Sequence, residues 1–275
     1  MLNKIKSKLL CYYGNLIYSL SKVEKRKYNL DLRIEDIKMK YPDINDQHFY
    51  FHHYYWNKAP KWLREHRNYF KNDQRGFGED AFHAMWYLIF KEYSPKSALE
   101  IGVYRGQVIS LWALLAKRMG FKIDVHGISP FTAADDEVSN YLKNIDYYQD
   151  VIHNFKKCDL EVVSLNKGFS TDEKMIKIIK SKEWDIIYID GDHTYEIAKQ
   201  DFMNCSESVR NNGLIVMDDS ALFTTYKAKY YSFAGHSGPS RVAEEIDPDD
   251  YKEIISVGHN RVFQKVRRAK KCDVI

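Results

Sequence analysis

The sequence predicts an α/β fold in which a doubly wound, mostly parallel sheet finishes in an antiparallel hairpin. Three observations carry that expectation. From about residue 98 to 217, short apolar runs alternate with longer segments of helical periodicity, the rhythm of a parallel sheet covered on both faces. Three of those runs end in glycine or carboxylate residues: Glu100-Ile101-Gly102, Ile189-Asp190-Gly191 and Met217-Asp218-Asp219. Near the end, residues 251–257 and 260–266 flank Gly258-His259, a turn short enough for a hairpin.

Taken in order, residues 1–30 form a basic leader. Lys4, Lys6 and Lys8 precede an uncharged stretch, and Lys22, Lys25, Arg26 and Lys27 follow it. Tyr12, Tyr13, Gly14 and Asn15 interrupt the apolar part and no small-x-small cleavage site follows, so a signal peptide is not expected. An amphipathic helix through residues 1–27 fits a membrane surface or a partner; it equally fits docking on the chain's own domain. Residues 31–78 are rich in aromatics and histidine, including His48, Tyr50, His52, His53, Tyr54, Tyr55, Trp56 and His66. They read as packing for the main domain or as a lid over its ligand site. Adjacent His52 and His53 lack the i, i+4 spacing of two ligands on one helix face, so no metal is expected there.

The turn Arg75-Gly76-Phe77-Gly78-Glu79-Asp80 leads into an apolar-periodic helix over about 79–92. Arg75 or Glu79 could contact a cofactor from that turn; capping the helix is the simpler role. Residues 79–266 read as the catalytic domain. Its first strand runs into a glycine turn and a helix from about 105 to 118. A strand follows at 122–128, a helix at 136–155, a strand at 160–165 and a helix at 171–180. The fourth strand (185–189) is apolar through its middle, as burial on both faces requires. A helix (195–209) and a fifth strand (214–217) precede the hairpin. Residues 267–275 form a basic tail. Its last four, Cys272-Asp273-Val274-Ile275, have the spacing of a prenylation box, but Asp273 is not aliphatic.

Composition narrows the classes. The chain has 275 residues, 44% hydrophobic and 15% aromatic, with a net charge of only +4. No long basic stripe with interleaved aromatics is present, so nucleic acid is not an expected partner. The four cysteines, Cys11, Cys158, Cys205 and Cys272, are scattered without a C-x-x-C, which suits a reducing cytoplasm rather than a disulfide framework. No run of 18 apolar residues occurs, so no membrane-spanning helix is expected. Self-association into a homo-oligomer is left open.

The chemistry should gather where parallel strands end on one edge. In Glu100-Ile101-Gly102-Val103-Tyr104-Arg105-Gly106, glycines let backbone N–H groups approach a ligand, and the next helix aims its N-terminus there. Asp190, Asp218 and Asp219 should meet beside that cradle. Three neighbouring carboxylates repel unless a cation or proton intervenes, and oxygen donors of this kind suit magnesium, calcium or manganese.

On these residues, about 76–266 resemble the class I S-adenosylmethionine (SAM) methyltransferases, and within them the small-molecule O-methyltransferases of the catechol and macrocin types. The resemblance implies the Rossmann-like, seven-stranded methyltransferase fold, SAM as cofactor and magnesium as the cation. It implies Asp190, Asp218 and Asp219 as metal ligands. His193 stands where the catechol type has a lysine base, with Asp192 to orient it or act in its place. Glu100, Gly102, Val103, Tyr104, Gly106, Ser129, Gly168, Phe169, Ser170 and Asp190 are the implied cofactor contacts. Ser129 is a departure, because the family usually ends its second strand with an acid for the ribose hydroxyls.

The stretch Gly235-His236-Ser237-Gly238-Pro239-Ser240-Arg241 combines glycines, hydroxyls and a helix start. It predicts an anion grip on the acceptor through His236 and Arg241. The expected reaction is methyl transfer to a hydroxyl of a small molecule, with a sugar or surface-glycan precursor, phosphorylated or not, as first choice. Two other classes stay open: a SAM-fold binding or assembly module without turnover, and another Rossmann-type nucleotide-using enzyme.

Overall fold

The computed structural model describes residues 2–24, 28–132, 142 and 144–266. The expected basic tail, its terminal four-residue box, and most of residues 136–143 lie outside the described residues. Along the chain come α1 (Leu2–Lys22), α2 (Ile34–Lys40), α3 (Ile44–Asn57), α4 (Lys61–Lys71), α5 (Asp80–Tyr93), β1 (Ser97–Ile101), α6 (Gln107–Met119), β2 (Asp124–Ser129), α7 (Tyr147–Lys157), β3 (Ser164–Lys167), α8 (Glu173–Ile179), β4 (Trp184–Ile189), α9 (Tyr195–Ser208), β5 (Val209–Met217), α10 (Ser237–Glu244), β6 (Tyr251–Val257) and β7 (Asn260–Lys265).

The strands form one seven-stranded sheet in the order β3-β2-β1-β4-β5-β7-β6. The first five pair in parallel. β7 inserts between β5 and β6 and is antiparallel to both. Because side chains alternate across a strand, each strand feeds two cores. Ala98, Ile186, Tyr188, Leu214 and Val216 pack with α2, α3, α5 and α6 on one face. Leu99, Ile101, Ile187, Ile189, Ile215 and Met217 pack with α8, α9 and α10 on the other. Burial on both faces explains why these strands read as continuous apolar runs.

The aromatic segment is chiefly packing. Tyr50, Phe51, Tyr54 and Tyr55 of α3 share a core with Trp86 and Phe90 of α5. The leader helix α1 docks through Tyr18, whose hydroxyl bonds Asp80 and accepts from Trp56 Nε1 at 3.0 Å. Leu9, Leu10, Tyr12, Leu16 and Leu20 of α1 remain exposed. No helix among the described residues is long and apolar enough to cross a membrane.

One buried acid gives a test of the packing. Asp201 on α9 is fully buried, and burial pushes its carboxyl up to about 7, against the pull of the Ser170 hydroxyl. The folded state then binds a proton more tightly than the unfolded chain. Stability from this group is complete below pH 4 and is lost as pH rises toward and through 7. Asp201→Asn should therefore melt higher than the parent at pH 8, by on the order of 2–4 kcal/mol in stability, and match it near pH 4. Equal pH slopes in calorimetry for parent and variant would rule this out.

Candidate active site

The ends of β1, β4 and β5 meet at one edge because their backbones interlock there. Asp190 N–H donates to Ile101 O at 2.8 Å and Asp218 N–H to Ile189 O at 3.0 Å. Gly102 N–H donates to Ile128 O at 2.9 Å, and Gly168 N–H to Ser129 O at 3.0 Å. Gly102 takes φ +100°, and a Cβ there would stand 1.6 Å from Asp190 O. Only glycine lets the two strand ends come this close. Gly106, at φ 82°, is the N-cap residue of α6.

A cavity of about 740 Å³ opens over this edge. Glu100, Gly102, Val103, Tyr104, Ser129, Gly168, Phe169, Ser170 and Asp190 all line it. Gly106 does not; it shapes the turn from behind, against Val151. Ser129 Oγ accepts from Phe131 N–H at 3.2 Å, so its hydroxyl is already engaged in its own turn. Glu100 is buried on the same face as Tyr188, its register partner. Burial pushes its carboxyl up to about 8, with the Asp218 charge adding to the effect.

Beside this cradle, acids and imidazoles converge. Asp190 and Asp218 share a hydrogen bond, and burial together with that proximity holds Asp190 well above the usual carboxylate range. Burial likewise raises Asp218, opposed by His259. Asp219 differs: in spite of burial, the His193 hydrogen bond and the charge of His259 hold it low. His193 Nε2 lies 3.0 Å from Asp219 Oδ2, and His236 Nε2 lies 3.6 Å from the same oxygen. His259 Nε2 is 3.3 Å from Asp218 Oδ1 and 3.7 Å from Asp219 Oδ1. Burial opposes the charge on His259, but Asp218 and Asp219 prevail and raise it. Two donor groups have the spacing of metal ligands here, His193-Asp219-His236 and Asp218-Asp219-His259.

The structure thus brings Asp190, His193, Asp218, Asp219 and His236 together. Asp192 lines the cavity, and its Oδ1 accepts from Thr194 N–H at 2.7 Å, the bond of a residue that tightens the turn before α9. Arg241 is not brought in. Its Nε pairs with Glu245 at 3.2 Å and its guanidinium lies over the Tyr195 ring, on an exposed face. Of the two residues expected to grip an anion, His236 lines the cavity and Arg241 does not; the start of α10 packs closely on the turn before α9, where a Cβ on Gly238 would come 2.2 Å from His193 O.

Sequence reasoning missed His259, Tyr188 and Phe233 as lining residues, whereas Arg75 and Glu79, named from their turn, do line the cavity. A signal for His259 existed, since a hairpin turn next to β5 must land beside the end of that strand. It also missed a second histidine cluster. His48 and His52, spaced i, i+4 on α3, both approach Glu79, whereas the adjacent His53 is not part of the group.

Strand order, the glycine turn after β1 and the carboxylates after β4 and β5 are the features of the seven-stranded methyltransferase fold. Residues 99–220 match the family model described as a methyltransferase domain. No curated protein matches the chain. Among solved structures it is similar to a Staphylococcus aureus protein assigned as a caffeoyl-CoA O-methyltransferase, with a TM-score of 0.56 and 14% identity over 79% of this chain and 98% of that one. It is similar to a Bacillus cereus O-methyltransferase in complex with S-adenosylhomocysteine (SAH), with a TM-score of 0.53 and 14% identity over 82% and 100%. It is also similar to MycE of the mycinamycin biosynthetic pathway, in complex with Mg and SAH, with a TM-score of 0.50 and 17% identity over 78% of this chain and 57% of MycE. At these identities the likeness is one of fold.

Proposed function

We propose that the protein transfers a methyl group from SAM to a hydroxyl of a small molecule, with a sugar or surface-glycan precursor as the acceptor class. The observation that carries this reading is a single cavity with two unlike parts: a glycine-lined cradle and a corner of three carboxylates and three imidazoles. The cradle fits the methyl donor. Its backbone is held open where a Cβ would collide, Phe169 is exposed beside it to pack on a flat ring, and Ser129 takes the place of the usual ribose-binding acid.

The carboxylate corner fits a divalent cation. Asp190, Asp218 and Asp219 would hold it, and Asp218 Oδ1 is buried and makes no hydrogen bond beyond its 3.3 Å approach to His259 Nε2. A cation bound there supplies a Lewis acid that lowers the pKa of a ligated hydroxyl. The His259 imidazole beside Asp218 and Asp219 extends the choice from magnesium to first-row metals with mixed nitrogen and oxygen shells. His193, left outside that shell and 3.0 Å from Asp219, would accept the acceptor's proton, with Asp219 steadying the imidazolium that results. His236 and the Phe233 ring, 5.0 Å apart between centroids, form the acceptor-side wall. Asp190 and Asp218 must give up their shared proton to bind a cation, so cation affinity should increase with pH.

Thermal shift with SAM, SAH and NAD, with and without magnesium or manganese, tests the reading. SAM and SAH should each raise the melting temperature and NAD should not. SAH release should follow on a panel of sugar, catechol and CoA-ester hydroxyl acceptors, and should fall when divalent ions are chelated. Stabilisation by NAD alone would overturn the proposal, and donor binding without turnover on any acceptor would favour a binding module.

A further inference from the structure

The polar groups of α3 that face the sheet present an arrangement separate from the carboxylate corner. His48 and His52 are one helical turn apart, so both rings leave the same face of α3. Each is buried, with side chains 2% and 1% exposed. Glu79, the N-cap residue of α5, meets them. Its Oε2 lies 2.7 Å from His48 Nε2 and 2.9 Å from His52 Nε2, and the two nitrogens are 3.1 Å apart. Three donor atoms thus close on one point from two helices.

We propose that His48, His52 and Glu79 form a second metal site that takes a zinc-class ion and pins α3 to the wall of the cavity. Two histidines and a carboxylate are a zinc donor set, and bonds of roughly 2.0–2.1 Å in a tetrahedron place neighbouring donors roughly 3.3 Å apart. The observed triangle needs to open by only a few tenths of an ångström. Protons alone serve it poorly. If both rings donate to Glu79 Oε2, two N–H groups lie side by side. If one ring donates its Nε2–H to the other's Nε2, no N–H remains for the carboxylate. A cation satisfies all three lone pairs together.

The surroundings resemble the outer shell of a metal site. Glu79 Oε1 accepts from Ser232 Oγ at 2.5 Å, and Tyr226 Oη stands 3.4 Å from His48 Nδ1. Three protein donors leave a fourth position for water. Glu79 and Ser232 both line the cavity, so an ion here fixes the cavity wall made by the 75–79 turn and the loop carrying Ser232. The inference does not depend on methyl transfer.

The test must keep the carboxylate corner silent. Full-length protein carrying Asp218→Asn and Asp219→Asn is stripped with a chelator, loaded with zinc ions alone, desalted and measured by plasma mass spectrometry. One zinc per chain is expected, and less than a tenth of that after His48→Gln and His52→Gln are added, with far-UV circular dichroism unchanged. No retained zinc in the first protein overturns the proposal, as does equal zinc in both. Should the histidine variant fail to fold, cobalt substitution in the first protein decides. An intense visible band from a four-coordinate nitrogen and oxygen shell supports the site, and a faint six-coordinate spectrum overturns it.

Discussion

Asp219→Asn should reduce turnover by about 10³-fold, the scale of disabling general-base catalysis by the His193 that Asp219 steadies, while SAH affinity stays within about threefold. The substitution is a clean one. Asp219 sits at φ 49°, a left-handed backbone that Asn tolerates as well as Asp, so the turn should survive. What disappears is the charge at the centre of the corner. His193 and His236 both face Asp219 Oδ2, and His259 owes part of its raised pKa to the same carboxylate. Three consequences should appear together: lower cation affinity, a downward shift of the His259 titration followed by NMR, and lost SAH release on whichever acceptor the panel identifies. The donor cradle adjoins the corner through Asp190 but is shaped by the backbone at Gly102, so its affinity reports whether the effect is confined. Turnover within tenfold of the parent would place Asp219 outside the machinery.

The corner also shows which parts of the molecule can be read from sequence. Strand ends were legible because burial on both faces forces an apolar run, and a polar residue at its end then stands out. Asp190, Asp218 and Asp219 are of this kind, and parallel pairing brings them to one edge. His259 was legible only in part: the hairpin turn that carries it stands in the sequence, but its place beside the end of β5 depends on β7 inserting between β5 and β6, and strand order is a long-range property. Glu79 reads as a helix cap, the position it occupies on α5. Its ring partners come from α3, and only tertiary packing brings them within reach. The spacing of His48 and His52 does stand in the sequence, hidden by the more conspicuous adjacent pair His52-His53. Arg241 failed for the opposite reason. Its local pattern was right for an anion site, but the helix start it belongs to is sealed against the turn at 193–195.

Gly102→Ala should abolish donor binding and lower stability by about 3 kcal/mol or more, the upper range for forcing extra volume into a packed region. Two separate penalties act at this position, and a second glycine separates them. Gly102 has φ +100° and a Cβ there would stand 1.6 Å from Asp190 O and 2.8 Å from Gly191 N. Both are backbone atoms, which cannot swing aside as a side chain can. Gly120, at the C-cap of α6, has a comparable φ of +79° but nothing within 4 Å of its added Cβ. Gly120→Ala therefore carries the left-handed penalty alone, roughly 1–2 kcal/mol. The excess cost at Gly102 measures the collision of β1 with the end of β4. Because Asp190 begins the segment that relief of this collision must move, SAH affinity should fall by more than 100-fold in Gly102→Ala and stay unchanged in Gly120→Ala. Equal melting temperatures for the two variants, with SAH binding intact in both, would show that the strand ends can part without losing the donor site.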